Sequence, residues 1–322
     1  MVKLLKSGPI KVVALVGCLL VLAQCATLRK SEQQSWGEAK RDWNSSYNNN
    51  DKQGVSSSSS QQSSGAGRQQ AASSAKAAAK HSSTTLYASL ISEAMWEELF
   101  PNRLGRGSLS SKSDFYSFAA FAEAAKHFPH FLREGSEAQR RRELAAFLAH
   151  LEQETGGLRY KEQISVAHSY AVAHKDYPPT EGKQYHGRGP IQLSYNYNYG
   201  QFSRAYFGDK SVLLKDPDLL VADSVISFGS AIWFWMTGQP PKPSCHSVMV
   251  DSWEPTSTDL SANRRSGFGL TLNIINASQC GKESAHAQKR YEHYYKYCQY
   301  FDVDKGENCE CANQLPYGKK SK

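Results

Sequence analysis

The sequence predicts a mainly α-helical domain with irregular loops, running from about residue 86 to residue 312. Two observations predict the fold class: apolar residues recur at helical spacing through most of this region, and no series of alternating strands punctuated by hairpin turns appears. A third marks the near boundary. Residues 27–85 are Ser, Gln, Ala and Asn in quantity, with a serine run at 56–60 and almost no large aliphatics. Such a segment cannot bury enough apolar surface to offset its ordering entropy, so it reads as a disordered linker.

The elements follow in order. Residues 86–100 read as a helix ended near Pro101, and residues 115–128 as a second before Pro129. Between Arg140 and Glu154, Leu144, Phe147, Leu148 and Leu151 fall at i, i+3, i+4 and i+7, the stripe of a half-buried helix, and Gly156 and Gly157 supply its stop. Residues 221–236 are apolar nearly all round, which predicts a central buried helix. A last helix over 285–300 carries many tyrosines, and 313–322 reads as a basic tail.

The first 26 residues read as a secretory signal peptide: Lys3, Lys6 and Lys11 precede the apolar run 12–22, and small residues follow at Ala23, Cys25 and Ala26. That run is too short for the roughly 20 residues a spanning helix needs. Secretion, without stable membrane insertion, is the expectation. Residues 1–85 hold 11 Lys or Arg and 4 Asp or Glu, so of the formal charge of +8 only +1 belongs to residues 86–322. A near-neutral domain without interleaved arginines and aromatics argues against a nucleic-acid partner. Beyond the leader, Cys245, Cys280, Cys298, Cys309 and Cys311 remain. In an oxidising compartment disulfides are the expected use, with one thiol left over; no spacing fits a zinc site. Neither a His-Glu-x-x-His helix nor a phosphate-cradling glycine loop is present, so no metal or cofactor is expected.

Two carboxylates carry the first chemical signal. Glu154 ends the Gly-Gly-closed helix and Glu162 follows in a polar loop, so the two can face one cleft from different elements. Glycosidic hydrolysis needs such a pair, one carboxyl protonated to donate to the leaving oxygen and one ionised to activate water. Apolar neighbours and the partial negative charge of helix-end carbonyls both disfavour a bare carboxylate at Glu154, as a proton donor requires. Periodicity does not choose between Glu152 and Glu154, and a solvated helix edge is the ordinary fate of either.

Four segments break the tie. Ala146-Phe147-Leu148-Ala149 with Gln153-Glu154-Thr155-Gly156-Gly157-Leu158 is similar to the helix-end signature of glycoside hydrolase family 19 chitinases. Gly187-Arg188-Gly189-Pro190-Ile191-Gln192-Leu193-Ser194-Tyr195-Asn196-Tyr197-Asn198-Tyr199-Gly200 resembles that family's most recognisable stretch. Trp235-Met236-Thr237 extended through Gly238-Gln239-Pro240-Pro241-Lys242-Pro243-Ser244 resembles a third. Gly267-Phe268-Gly269, leading into Asn273-Ile274-Ile275-Asn276 and Cys280-Gly281, resembles a fourth.

The resemblance, spanning residues 86–311, implies a lysozyme-like, two-lobed helical fold with a central substrate cleft. It implies inverting, endo-acting hydrolysis of β-1,4-linked N-acetylglucosamine polymers, chitin or its oligosaccharides, by a monomer. By position, Glu154 would be the general acid, Glu162 the general base, and Ser194 would help hold the attacking water. Gln192, Tyr197 and Asn198 would bind sugar hydroxyls and acetamido groups, and Gln239 and Lys242 would line the cleft. Asn276 and Arg290 would hydrogen-bond and orient the base. Beside the resemblance, Tyr185 and Tyr177 are candidate stacking platforms for sugar rings, with ordinary packing the commoner role of either alone. Ser194 also reads as the cap of a helix starting near Tyr195. Of the family's bridges, Cys280 with Cys311, or with Cys309, is retained.

Two departures stand out. Gln153 replaces the histidine that usually precedes the acid, and Gln279 replaces an acidic residue before Cys280. Two alternatives remain beside the chitinase reading: a chitin-binding or matrix protein with reduced turnover, and a hydrolase of peptidoglycan or chitosan on the same fold.

Overall fold

A computed structural model describes residues 90–104, 114–166 and 168–319. The expected leader (1–26) and linker (27–85) lie outside the described residues. Eleven α-helices are found among the described residues: α1 (Glu93–Leu99), α2 (Phe118–Ala125), α3 (Glu137–Thr155), α4 (Asn196–Phe207), α5 (Ser211–Lys215), α6 (Leu219–Ala222), α7 (Ser224–Met236), α8 (Cys245–Met249), α9 (Ser257–Ser261), α10 (Phe268–Asn276) and α11 (Ala285–Tyr300). Extended pairing among them is limited to isolated bridges at Glu162↔Arg188, Arg188↔Leu193 and Gln239↔Lys242. The mainly helical expectation holds.

Local chemistry sets the helix boundaries. α1 starts late because the Ser92 hydroxyl accepts from Met95 N. Asp223 divides the helix expected over 221–236, its carboxylate accepting from Val225 N and Ile226 N at the start of α7. α3 opens on a capping box, in which Ser136 Oγ accepts from Gln139 N and Gln139 Oε1 accepts from Ser136 N. It closes at Gly156, whose φ of 61° is left-handed, and the Gly157 amide returns to Glu152 O.

α3 differs from the half-buried stripe that its periodicity suggests. Every residue from Glu143 to Leu151 is buried, because α11 packs along one side of the helix while α8 contacts it too. α2 lies against α7. Their shared core is aromatic: Trp96 stacks on Phe121 at 5.0 Å between centroids, and Phe228 meets Phe121 edge-on at 5.6 Å. Glycines let the C-terminal segment cross α10, since a Cβ on Gly269 would sit 2.2 Å from Glu310 O. Cys280 and Cys311 are joined there, while Cys245, Cys298 and Cys309 are buried thiols. The tail expected from residue 313 is not separate as far as residue 319: Gln314 and Tyr317 are buried, and Tyr317 N donates to Asn273 Oδ1.

A buried ion network ties α3 to α8. Glu143, fully buried, accepts from Trp235 Nε1 at 2.9 Å and pairs with His246 Nδ1 at 2.6 Å; His246 Nε2 meets Glu134, which also holds His130. Burial pulls the His246 pKa down, but hydrogen bonds and charge from Glu143 and Glu134 outweigh it and hold it at about 9. A histidine raised on folding contributes stability that is complete below its unfolded value of about 6.5 and is lost as pH rises through the folded value. Urea unfolding at pH 6 and pH 10 should therefore show wild type losing about 3 kcal/mol more than His246→Gln. Equal losses would remove the network from the account.

Candidate active site

Glu152 and Glu154 leave α3 on different sides. Glu152 meets His293 Nδ1 at 3.3 Å and Lys296 Nζ at 3.1 Å. It borders a cavity of about 450 Å³ with Gln153, Gly156, Gly157, Lys289 and the turn at 98–102. Burial would raise its carboxyl, but the neighbouring His293 and Tyr297 side chains and the charges of His293 and Lys296 prevail and hold it at about 2.

Glu154 instead meets Arg290, whose Nη2 donates to Glu154 Oε1. Arg290 is 2% exposed. Its Nε donates to Gln279 Oε1 at 3.1 Å, and its Nη1 to His150 Nδ1 at 3.2 Å. Burial, then the Arg290 charge, push the His150 pKa well down, so the imidazole is neutral. With Nδ1 accepting, Nε2 carries the proton and donates to Thr271 Oγ1 at 2.9 Å; Thr271 in turn donates to Phe268 O. Phe268 also stacks on the His150 ring at 4.8 Å. The guanidinium is thus aimed by α10 and α11, and among these side-chain partners only Glu154 is anionic.

Glu162 lies where 161–163 runs beside 187–189, bridged to Arg188. Gln163 N donates to Gly187 O, and Gly189 N to Lys161 O. The glutamate is 34% exposed and hydrogen-bonds His186 Nε2 through Oε2 at 3.1 Å. His186 is buried, and its Nδ1 has no hydrogen-bond partner among the described residues. A proton on Nε2 therefore gives Glu162 a donor and leaves Nδ1 free of one.

Arg188 fixes this ledge through Asp218 at 2.7 Å, Gln184 O and Tyr199 OH. From it the chain turns through Gln192 and Tyr195, both with positive φ, into α4. Ser194 Oγ donates to Gln192 O and makes no helix cap; Tyr195 occupies that position without a capping side chain. Asn198, one turn into α4, donates to Ser194 O and accepts from Gln239 Nε2 at 3.2 Å. Gln239 bridges to Lys242, whose Nζ donates to Ile274 O of α10 at 2.8 Å.

Together with the covalent chain between them, these contacts link the residues in a circuit. It runs from Glu154 through the 155–161 turn to Glu162, then Arg188, Ser194, Asn198, Gln239 and Lys242. It returns through Ile274, Asn276, Gln279 and Arg290 to Glu154. Three sequence expectations change. Arg290 orients Glu154 rather than Glu162, because α11 runs along α3. The half-buried Asn276 is not joined to the base; its side chain accepts from Ser278 Oγ at 2.6 Å. Tyr185 is fully buried, with its hydroxyl donating to Leu214 O and accepting from Thr180 N, so its ring offers no stacking surface. Tyr177 packs against Gly200, where a Cβ would come within 2.5 Å of its ring. Gln192 donates to Gly189 O and packs under Gly187. Tyr197 stacks on Tyr195 and His174. His150 and His186 are additions: no spacing in the sequence separates either from an ordinary histidine.

A helical, lysozyme-like frame with carboxylates on a polar perimeter defines a class of glycoside hydrolase. Residues 90–311 match the family model for glycoside hydrolase family 19, chitinase class I. Endochitinase 2 of Gossypium hirsutum is 43% identical over 246 residues, covering 71% of this chain and 80% of that one. An inactive chitinase-like protein 1 of Hevea brasiliensis is 43% identical over 245 residues, covering 71% and 76%. Among solved structures, a class IV chitinase from Zea mays aligns with TM-score 0.57 and 33% identity over 69% of this chain and 98% of that one. Chitinase C from Streptomyces griseus HUT6037 aligns with TM-score 0.58 and 30% identity over 69% and 97%. The chain belongs to the glycoside hydrolase family 19 chitinases.

Proposed function

We propose that this chain is a secreted, monomeric endo-chitinase that cleaves β-1,4-linked N-acetylglucosamine polymers with inversion, using Glu154 as general acid and Glu162 as general base. The closed perimeter joining Glu154, Glu162, Ser194, Asn198, Gln239, Lys242 and Arg290 carries this reading. Glu154 gives its proton to the glycosidic oxygen as the bond from that oxygen to the anomeric carbon breaks. Glu162 takes a proton from a water attacking the opposite face, and Ser194, beside it on the perimeter, holds that water. His186 steadies one oxygen of Glu162 and leaves the other for the water. Gln192, Tyr197, Asn198, Gln239 and Lys242 hold the sugars. The Cys280–Cys311 bridge suits the oxidising compartment that secretion implies.

A second reading, a chitin-binding protein with reduced turnover, is favoured by two observations. Gln279 is neutral, so the Arg290 charge falls on Glu154 alone among its side-chain partners, and one relative of equal identity is named inactive. Reducing-end release by the full chain from soluble chitin oligomers tests the first reading. Turnover is expected there, with little on chitosan or peptidoglycan. Binding of the oligomers without product would select the second.

A further inference from the structure

Seven large apolar side chains stand exposed among the described residues, and four lie on, or packed through Tyr170 against, the loop that follows Glu162. They are Ile164 (63% exposed), Val166, Val172 and Tyr195. The connecting contacts make them one surface. Gln163 Nε2 donates to both Ser165 O and Tyr170 OH, which brings the Tyr170 ring up to the backbone between Ile164 and Val166. Tyr170 meets Tyr195 edge-on at 5.2 Å, and Tyr195 lies parallel to Tyr197 at 5.4 Å. Residues 163–174 contain no Asp, Glu, Lys or Arg. A patch of this kind beside a polar site is a binding surface rather than scattered exposure.

The patch is rigidly built. Asn196, fully buried, accepts from Val172 N and donates to Val172 O and Tyr177 O, so one side chain pins the loop to α4. Tyr170 and Tyr195 have φ of 53° and 72°, in the region that L residues avoid. Tyr195 holds that backbone at the start of α4 without capping the helix, so its ring is not there for α4.

We propose that Ile164, Val166, Tyr170, Val172 and Tyr195 form an apolar platform that grips the chitin polymer outside the cleft. Pyranose faces present C–H groups to an aromatic ring, and acetamido methyls fit branched aliphatics; an uncharged polymer matches an uncharged patch. The inference rests on the chitinase reading for the identity of the polymer.

The experiment uses the full chain with two variants, Tyr195→Gly and Ile164→Ser/Val172→Ser, and measures depletion from solution by insoluble chitin beside turnover of a soluble chitin tetramer. Both variants should lose about tenfold in retention and in polymer hydrolysis, with tetramer turnover of the Ile164→Ser/Val172→Ser variant, which touches no sugar-holding residue, within about twofold of wild type. Tyr195→Gly should keep its thermal midpoint, because glycine relieves the positive φ, and Tyr195→Trp should keep retention. Unchanged retention in both variants, or tetramer turnover of the Ile164→Ser/Val172→Ser variant falling in step with its retention, overturns the platform. Wild type retained on chitin but unable to cleave the tetramer sinks the hydrolytic reading and leaves the platform standing. Wild type not retained at all overturns the platform whatever its turnover.

Discussion

Glu154→Gln is expected to slow hydrolysis of soluble chitin oligomers by about 10³-fold, within the range general acid catalysis supplies, with oligomer affinity kept. The amide preserves the contact to Arg290 by accepting through its carbonyl oxygen, so shape and packing persist while the transferable proton is gone. Glu152→Gln is the matched control. Its carboxylate serves His293 and Lys296 on the other side of α3, so turnover should stay within a few-fold of wild type. Steady-state kinetics on both variants checks the pair. Similar losses in the two would mean that the helix end, and not the acid, had been damaged.

The second large effect is on stability. Arg290→Met removes a buried guanidinium with partners on three side chains, leaving the Glu154 carboxylate, 17% exposed, without its counter-charge. Truncating one member of a buried ion pair costs about 3–5 kcal/mol, much of it the stranded charge. Adding Glu154→Gln to Arg290→Met should therefore recover part of the loss, which urea unfolding of the single and double variants measures. Simple additivity would show that Arg290 acts through packing alone.

Much of this was legible in the residues, and what was not has physical causes. The Gly156-Gly157 stop of α3 is local chemistry, and the structure places it as read. Motif order brought residues from α3, α4 and α10 onto one perimeter. Three features depend on packing that no local pattern carries. α3 is buried along its middle because α8 and α11 cover it, which its stripe of four apolar residues understates. Arg290 turns to Glu154 because α11 runs beside α3, so its partner is set by helix pairing and not by its neighbours in sequence. Tyr185 is lost to the core through the Leu214 carbonyl, 29 residues away. Of the two readings of Ser194, the cap fails for a subtler reason. Serine is the ordinary residue before a helix, but here the chain spends an extra, left-handed residue at Tyr195, and the Ser194 hydroxyl donates to Gln192 O instead.

The most direct test of the central claim, that Glu154 and Glu162 act as an inverting acid and base, is the anomeric configuration of the first product. Proton NMR of a chitin oligomer digest, taken before mutarotation, is predicted to show the α anomer at the new reducing end. Early appearance of the β anomer would contradict the account.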